Sequence, residues 1–135
     1  MINAYKVIRT YIPINVTPPK KWPMSESQII EISPPLSQII DYLRDSDPVG
    51  KIGNYGGVYE IGLGLEGYVP LKFSHPTLGN KNTSEETPSI SFSTYAANTV
   101  KKEVISNFVE GLASLHPWEH PVIEIVSIQL WMPNK

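Results

Sequence analysis

The sequence contains no cysteine. This excludes disulfides and thiolate metal centres and leaves His, Asp and Glu as its strong metal ligands. Histidine is itself scarce, with three in 135 residues and two of them inside His116-Pro117-Trp118-Glu119-His120. Charge is thin as well: charged residues make up 18%, against roughly 25% in an average soluble domain, which leaves more neutral surface than a monomer needs. Self-association is therefore expected. A net charge of −2, with Lys20-Lys21 and Lys101-Lys102 as the only adjacent basic pairs, gives no cationic footprint of the kind that nucleic-acid phosphates require. No apolar run approaches a membrane span, and Met1 to Lys6 lacks the basic and apolar regions of a signal peptide. Neither nucleic acid nor membrane is expected as a partner, and a cytoplasmic address is the default.

What the chain does have is enough apolar material, 41%, for one core, so a single domain over residues 1–135 is expected. Tyr5 to Ile12 reads as a strand that Pro13 closes. Residues 14–33, with Pro18-Pro19-Lys20-Lys21-Trp22-Pro23 at their centre, read as a long proline-rich loop, because the prolines remove donors and fix φ. Ser33-Pro34-Pro35 marks a helix start, and Leu36, Ile39, Ile40 and Leu43 repeat at helical spacing behind it. Two short strands, 58–61 and 67–71, are expected as a hairpin around Gly62-Leu63-Gly64-Leu65-Glu66. Ser89 to Tyr95 alternates as a half-buried strand, and Asn98 caps a second helix carrying Val100, Val104, Ile105, Phe108, Leu112 and Leu115. Pro117 and Pro121 forbid a continuous helix, so the chain turns there before the final strand, Val122 to Trp131. The fold class is α+β: a ferredoxin-like βαββαβ antiparallel sheet with two helices on one face and an extra hairpin.

Two strings resemble catalytic motifs and fail on context. Gly62-x-Gly64-x-x-Gly67 has the dinucleotide spacing, but its third glycine leads to Tyr68-Val69-Pro70 rather than to a helix, so no nicotinamide or flavin is expected. His116-Pro117-Trp118-Glu119-His120 matches H-x-x-E-H, which needs an unbroken helix to aim both imidazoles at one metal. In a turn, His116, Glu119 and His120, joined by His75, remain candidate ligands for a divalent metal ion, the one cofactor these side chains suit. The same three are candidate acid–base groups. Their plainer reading is a helix-end residue and a turn residue, with the helix dipole favouring a charged His116. Trp22, Trp118 and Trp131 are candidates for an aromatic pocket or an interface. Arg9 is either solvent-facing or a buried partner for a carboxylate such as Glu124.

Tyr5-Lys6-Val7 through Ile12-Pro13 resembles the opening "YKLVVFVP" of the small domain inserted in YqfO-type proteins of the Nif-three-like family, a domain that also occurs free-standing. Gly50-Lys51-Ile52-Gly53-Asn54-Tyr55 resembles its "GAGxIGNY" turn. Gly64-x-x-Gly67-Tyr68-x-Pro70-Leu71 followed by Pro76 and Gly79 is similar to "GxGxFxPLxGxxPxxG", and His116 to Pro121 corresponds to "HPYEEP". Trp118 and His120 depart from that last motif, and the insertion at 14–33 is extra. The resemblance implies a fold similar to CutA and the PII signalling proteins, assembled as a dimer or trimer. The dinuclear metal of the larger relatives belongs to a domain absent from this sequence. By that analogy, Asn54, Tyr55, His75, Trp118 and Trp22 would line a small-molecule cleft between subunits. The functional expectation is a non-catalytic, self-associating module that binds a small ligand or metal ion. The alternative is a small cofactor-independent isomerase, cyclase or hydrolase using His116, His120 and Glu119.

Overall fold

The computed structural model describes residues 1–14, 24–75 and 80–133. Residues 15–23, including Trp22, and residues 76–79 and 134–135 lie outside them. Four strands, β1 (Ile2–Pro13), β2 (Tyr59–Tyr68), β3 (Glu85–Ala97) and β4 (Ile123–Trp131), form one antiparallel sheet in the order β2-β3-β1-β4. Three helices accompany it: α1 (Glu26–Ile32), α2 (Pro35–Arg44) and α3 (Lys102–Leu115). This is the expected α+β, ferredoxin-like architecture, with one more helix.

Strand alternation sorts the sheet into two faces. Register places Ile8, Thr10 and Ile12 of β1 beside Thr94, Phe92 and Ile90 of β3, all fully buried. Against them pack Ile29 of α1, Leu36, Ile39, Ile40 and Leu43 of α2, and Ile105, Phe108 and Leu112 of α3. Each such side chain contributes about 1.5–3 kcal/mol on leaving water, so this single layer holds the fold. All three helices lie on this face. The other face carries Tyr5, Val7, Arg9 and Tyr11 of β1 across from Ala97, Tyr95, Ser93 and Ser91, and among the described residues no helix covers it.

Several sequence expectations change. The hairpin expected at 58–71 is one strand: β2 runs straight through Gly62, Gly64 and Gly67, paired residue by residue with β3. Glycine weakens a strand interior but permits close approach, and at Gly62 a Cβ would stand 2.7 Å from the Ser91 hydroxyl, so the glycine makes room for its neighbour. The true hairpin partner of β2 is β3. The loop expected over 14–33 contains α1, whose start is a capping box: Gln28 N–H donates to the Ser25 hydroxyl while the Ser25 N–H donates to the Gln28 side chain. Glu26 then accepts from Arg44 at 3.0 Å and from the Tyr59 hydroxyl, tying α1 to α2 and β2. Ser33 does not cap α2; its hydroxyl reaches the Pro13 carbonyl, and Pro34 occupies the cap position. Asn98 does not cap α3 either. Its N–H donates to the Ala4 carbonyl, and the helix starts behind Lys101.

Candidate functional site

The residues proposed for function fall into two groups at opposite ends of β2. The first is the corner between α3 and β4. The buried stripe Ile105, Phe108, Leu112 ends at His116, the C-cap, and residues 117–120 are bends rather than helix, as the prolines require. His116 is buried, its Nε2 2.6 Å from the Tyr11 carbonyl, while its Nδ1 accepts the Trp118 N–H at 3.1 Å. A nitrogen that accepts from an N–H carries no proton, so the ring is the neutral tautomer with its hydrogen on Nε2, donated to Tyr11. The expected imidazolium at the helix end is therefore corrected. Burial pushes the pKa below the ordinary 6.5, against a smaller upward pull from the Tyr11 carbonyl.

With both nitrogens engaged by backbone, His116 offers no lone pair to a metal and no free site to a substrate proton. Trp118 leans on the His116 ring, centroids 5.6 Å apart, and on Tyr68 of β2 at 6.4 Å. Tyr68 in turn shares a 3.1 Å hydrogen bond with Thr87. The corner thus reaches across the end of the sheet to the β2–β3 connection. There the Glu119 carboxylate accepts the backbone N–H of His75, and its other oxygen lies 3.0 Å from Nε2 of His120. The side chains of Glu119 and His120 are brought together, His75 joins them through its backbone N–H, and His116 is held apart by its own backbone partners. The expected ligand set His116, Glu119 and His120 does not assemble, and among the described residues no three His, Asp or Glu side chains are placed to hold one metal ion.

The second group is the turn at Asn54 and Tyr55. Ile52 and Tyr55 exchange two backbone hydrogen bonds of 2.9 Å, with Gly53 and Gly57 at φ +55° and +60°, where a side chain would be strained. Gly50 N–H anchors the segment to the Tyr95 carbonyl at 2.7 Å, and Tyr55 projects outward, 76% exposed. An aromatic pocket of three tryptophans does not form from Trp118 and Trp131. Trp131 sits at the far end of β4 opposite Ile2, exposed, and Trp22 lies outside the described residues.

Arg9 falls between its two expected settings: it pairs with Glu124 on β4, Nη1 to carboxylate 3.7 Å, with its Nε donating to Ser93 at 3.1 Å, but its side chain is 37% exposed rather than buried. Tyr11 donates to the same Glu124. Sequence reasoning overlooked Tyr11, Tyr68 and Thr87 as neighbours of the corner. No local motif marks them, and only the strand register would have placed them there.

No protein-family model matches the sequence, and no curated protein matches it. The likeness is one of structure. A NIF3-related protein of Bacillus cereus superposes with a TM-score of 0.62 at 13% identity, covering 95% of this chain and 26% of that one. The chain thus spans about a quarter of that protein's length. The divalent ion tolerance protein CutA1 of Ehrlichia chaffeensis superposes with a TM-score of 0.54 at 10% identity, covering 98% of this chain and 86% of that one. The periplasmic divalent cation tolerance protein CutA of Archaeoglobus fulgidus gives 0.52 at 9%, covering 90% and 81%. At these identities the likeness carries the fold: this chain has the CutA-like, ferredoxin-like arrangement that the Nif-three-like resemblance implied.

Proposed function

We propose that the chain is a non-catalytic, self-associating module that binds a small ligand or a divalent cation where subunits meet. The observation that carries this reading is a four-stranded sheet with helices on one face only. On its open face Tyr5 and Val7 are already buried, Val126 beside Val7 is 41% exposed, and the few charges are partly spent on one another, Arg9 on Glu124. Both sheet edges also present apolar side chains, Leu63 and Leu65 on β2 and Ile125, Val126 and Trp131 on β4, with unpaired strand backbone beside them. A second copy is the occupant that would cover this surface, and the low overall charge agrees with it.

For the cation, the named activity of the CutA neighbours supports the choice of probe, and the 3.0 Å contact between the Glu119 carboxylate and the His120 imidazole supports the place. Light scattering tests the first half: a dimer or trimer is expected, reduced to monomer by Val126→Glu, whereas a wild-type monomer at micromolar concentration overturns it. Calorimetric titration with zinc or nickel tests the second: saturable binding weakened at least tenfold by His120→Ala is expected, and heats unchanged by that substitution overturn it.

An acid–base enzyme is the second reading, favoured by the 3.0 Å contact between Glu119 and His120. It would run on that pair without His116. His120 is 88% exposed, so the pair lacks the enclosure that usually tunes a general base.

A further inference from the structure

β2 is an edge of the sheet, with β3 on its inner side and no strand beyond it. Native edges are commonly blunted by a proline, a lysine or a bulge, because their unpaired N–H and C=O groups invite another strand. β2 has none of these: it contains no proline, lysine or arginine, and its ladder with β3 runs from Tyr59 to Tyr68 without an extra residue. Among the described residues, Tyr59 to Gly67 make no backbone hydrogen bond outside that ladder. On the helix side of the edge, Leu63 and Leu65 are 46% and 64% exposed and stand apart from the packed core. On the open side, Gly62 and Gly64 carry no side chain, so an incoming strand meets bare backbone there.

The strand that matches this edge is β2 itself. Set Gly64 opposite Gly64 of a second copy, antiparallel, and Leu63 meets the copy's Leu65 while Leu65 meets its Leu63. In the same register Gly62 meets Glu66 and Glu60 meets Tyr68, so no carboxylate faces another. Sliding the two-fold axis to Leu63 sets Glu60 against Glu66 twice, and like charges directly opposite are destabilising. Sliding it to Leu65 sets Leu63 against Gly67 and shortens the paired run from 60–68 to 62–68. A one-residue slip puts each leucine beside a glycine of the wrong face.

We infer that two copies pair edge to edge through β2, antiparallel and centred on Gly64, so that two four-stranded sheets become one. The contact is isologous and closes on itself. Its occupant, a second copy, rests on the self-association proposed above, and it adds an interface separate from the surface around Val126. Residues 60–68 are far fewer than the ~20–30 residues a side of a standard interface, so this pairing is the weaker of the two and belongs to higher concentrations.

The test uses Val126→Glu, expected above to be monomeric at micromolar concentration. Sedimentation equilibrium of that chain should show a dimer at submillimolar concentration. In a mixture of isotope-labelled and unlabelled copies, intermolecular contacts should join the methyls of Leu63 to those of Leu65. Leu65→Lys and Leu63→Glu, each added to Val126→Glu at an exposed position, should weaken the dimer at least tenfold. Mixed one to one, the two variants should recover it, because the new charges of opposite sign then face each other. The inference is overturned by no recovery on mixing, by a dimer that both substitutions leave intact, or by contacts of Leu63 with Leu63. A Val126→Glu chain that stays monomeric at every concentration, beside a wild type that assembles, also overturns it and leaves the edge to a strand of another protein. Should Val126→Glu fail to dissociate the wild-type assembly, the open-face contact fails, and the mixing experiment still decides β2.

Discussion

The Nδ1 of His116 accepts the backbone N–H of Trp118, two residues on, and this one bond decides the charge of the ring. Protonating Nδ1 would set two N–H donors against each other in a buried corner. The folded pKa lies below the unfolded value of 6.5, so near pH 6 and under the unfolded chain binds the extra proton. The contribution of His116 to stability is therefore complete above pH 6.5 and is lost as the pH falls through the window beneath it. Urea unfolding between pH 5 and 7.5 should show the wild type weakening with acid more than His116→Gln does. At neutral pH that variant should be less stable by ~1–3 kcal/mol, the usual consequence of disturbing buried partners. Nitrogen NMR of the wild-type ring should report the Nε2–H tautomer; an Nδ1–H tautomer would refute this account.

Gly111 offers a test with a reversal of sign. Glycine to alanine inside a helix ordinarily stabilises by ~1 kcal/mol. Here the added Cβ would meet the Tyr42 hydroxyl oxygen at 2.1 Å, and Tyr42 cannot retreat easily, because it stacks on Phe108 at 5.1 Å and donates to the Phe108 carbonyl. Gly111→Ala should thus destabilise by ~1–3 kcal/mol, as overpacking does. In a Tyr42→Ala background the same change should become stabilising. Chemical denaturation of the four proteins would expose an error if the sign stayed the same in both backgrounds.

Glu26 should behave as the anchor of α1. Tyr59 has its pKa pushed up to about 12, first by burial and then by its hydrogen bond to Glu26. In Glu26→Ala, the Tyr59 titration followed by ultraviolet difference spectra should fall yet stay above the ordinary 10.0, because burial remains the larger cause. Hydrogen exchange at Ile29 and Ile30 should quicken severalfold while β1 and β3 stay protected. An unchanged Tyr59 titration would show that the contact does not hold in solution.

Arg9 and Glu124 are each more than a third exposed, a setting in which an isolated ion pair contributes ~0–1 kcal/mol. Arg9→Ala should therefore change monomer stability by less than ~1 kcal/mol. If the open sheet face meets a second copy, the same substitution should shift the association midpoint several-fold. Parallel denaturation and sedimentation measurements separate the two effects.

The parts legible in the sequence were those where side chains answer to one local rule. The alternation around Ile90 and Phe92 gave β3, the spacing of Leu36, Ile39 and Leu43 gave α2, and Pro117 gave the corner. Misreadings came where two rules competed. The glycines of β2 were read as turn formers, although an edge strand accepts them when its neighbour brings serines. The prolines before Met24 hid the Ser25-x-x-Gln28 signature of α1. At the corner, sequence placed His116 at a helix end and stopped there, because the group that determines its tautomer's other partner, the Tyr11 carbonyl, is 105 residues away. Burial outweighed the helix dipole, and burial is a property of the assembled layers.

The central position of β1 also constrains how the molecule is made. Its inner neighbours are β3 and β4, so Tyr5 pairs with Ala97 on one side and Ile128 on the other. During synthesis the earliest strand must wait, half-matched, until the last is released, with Val7 and Ile8 already committed to neighbours not yet translated. Such distant pairing favours slow completion, and a ribosome stalled before Ile123 would hold out a bare ladder rung to any passing strand.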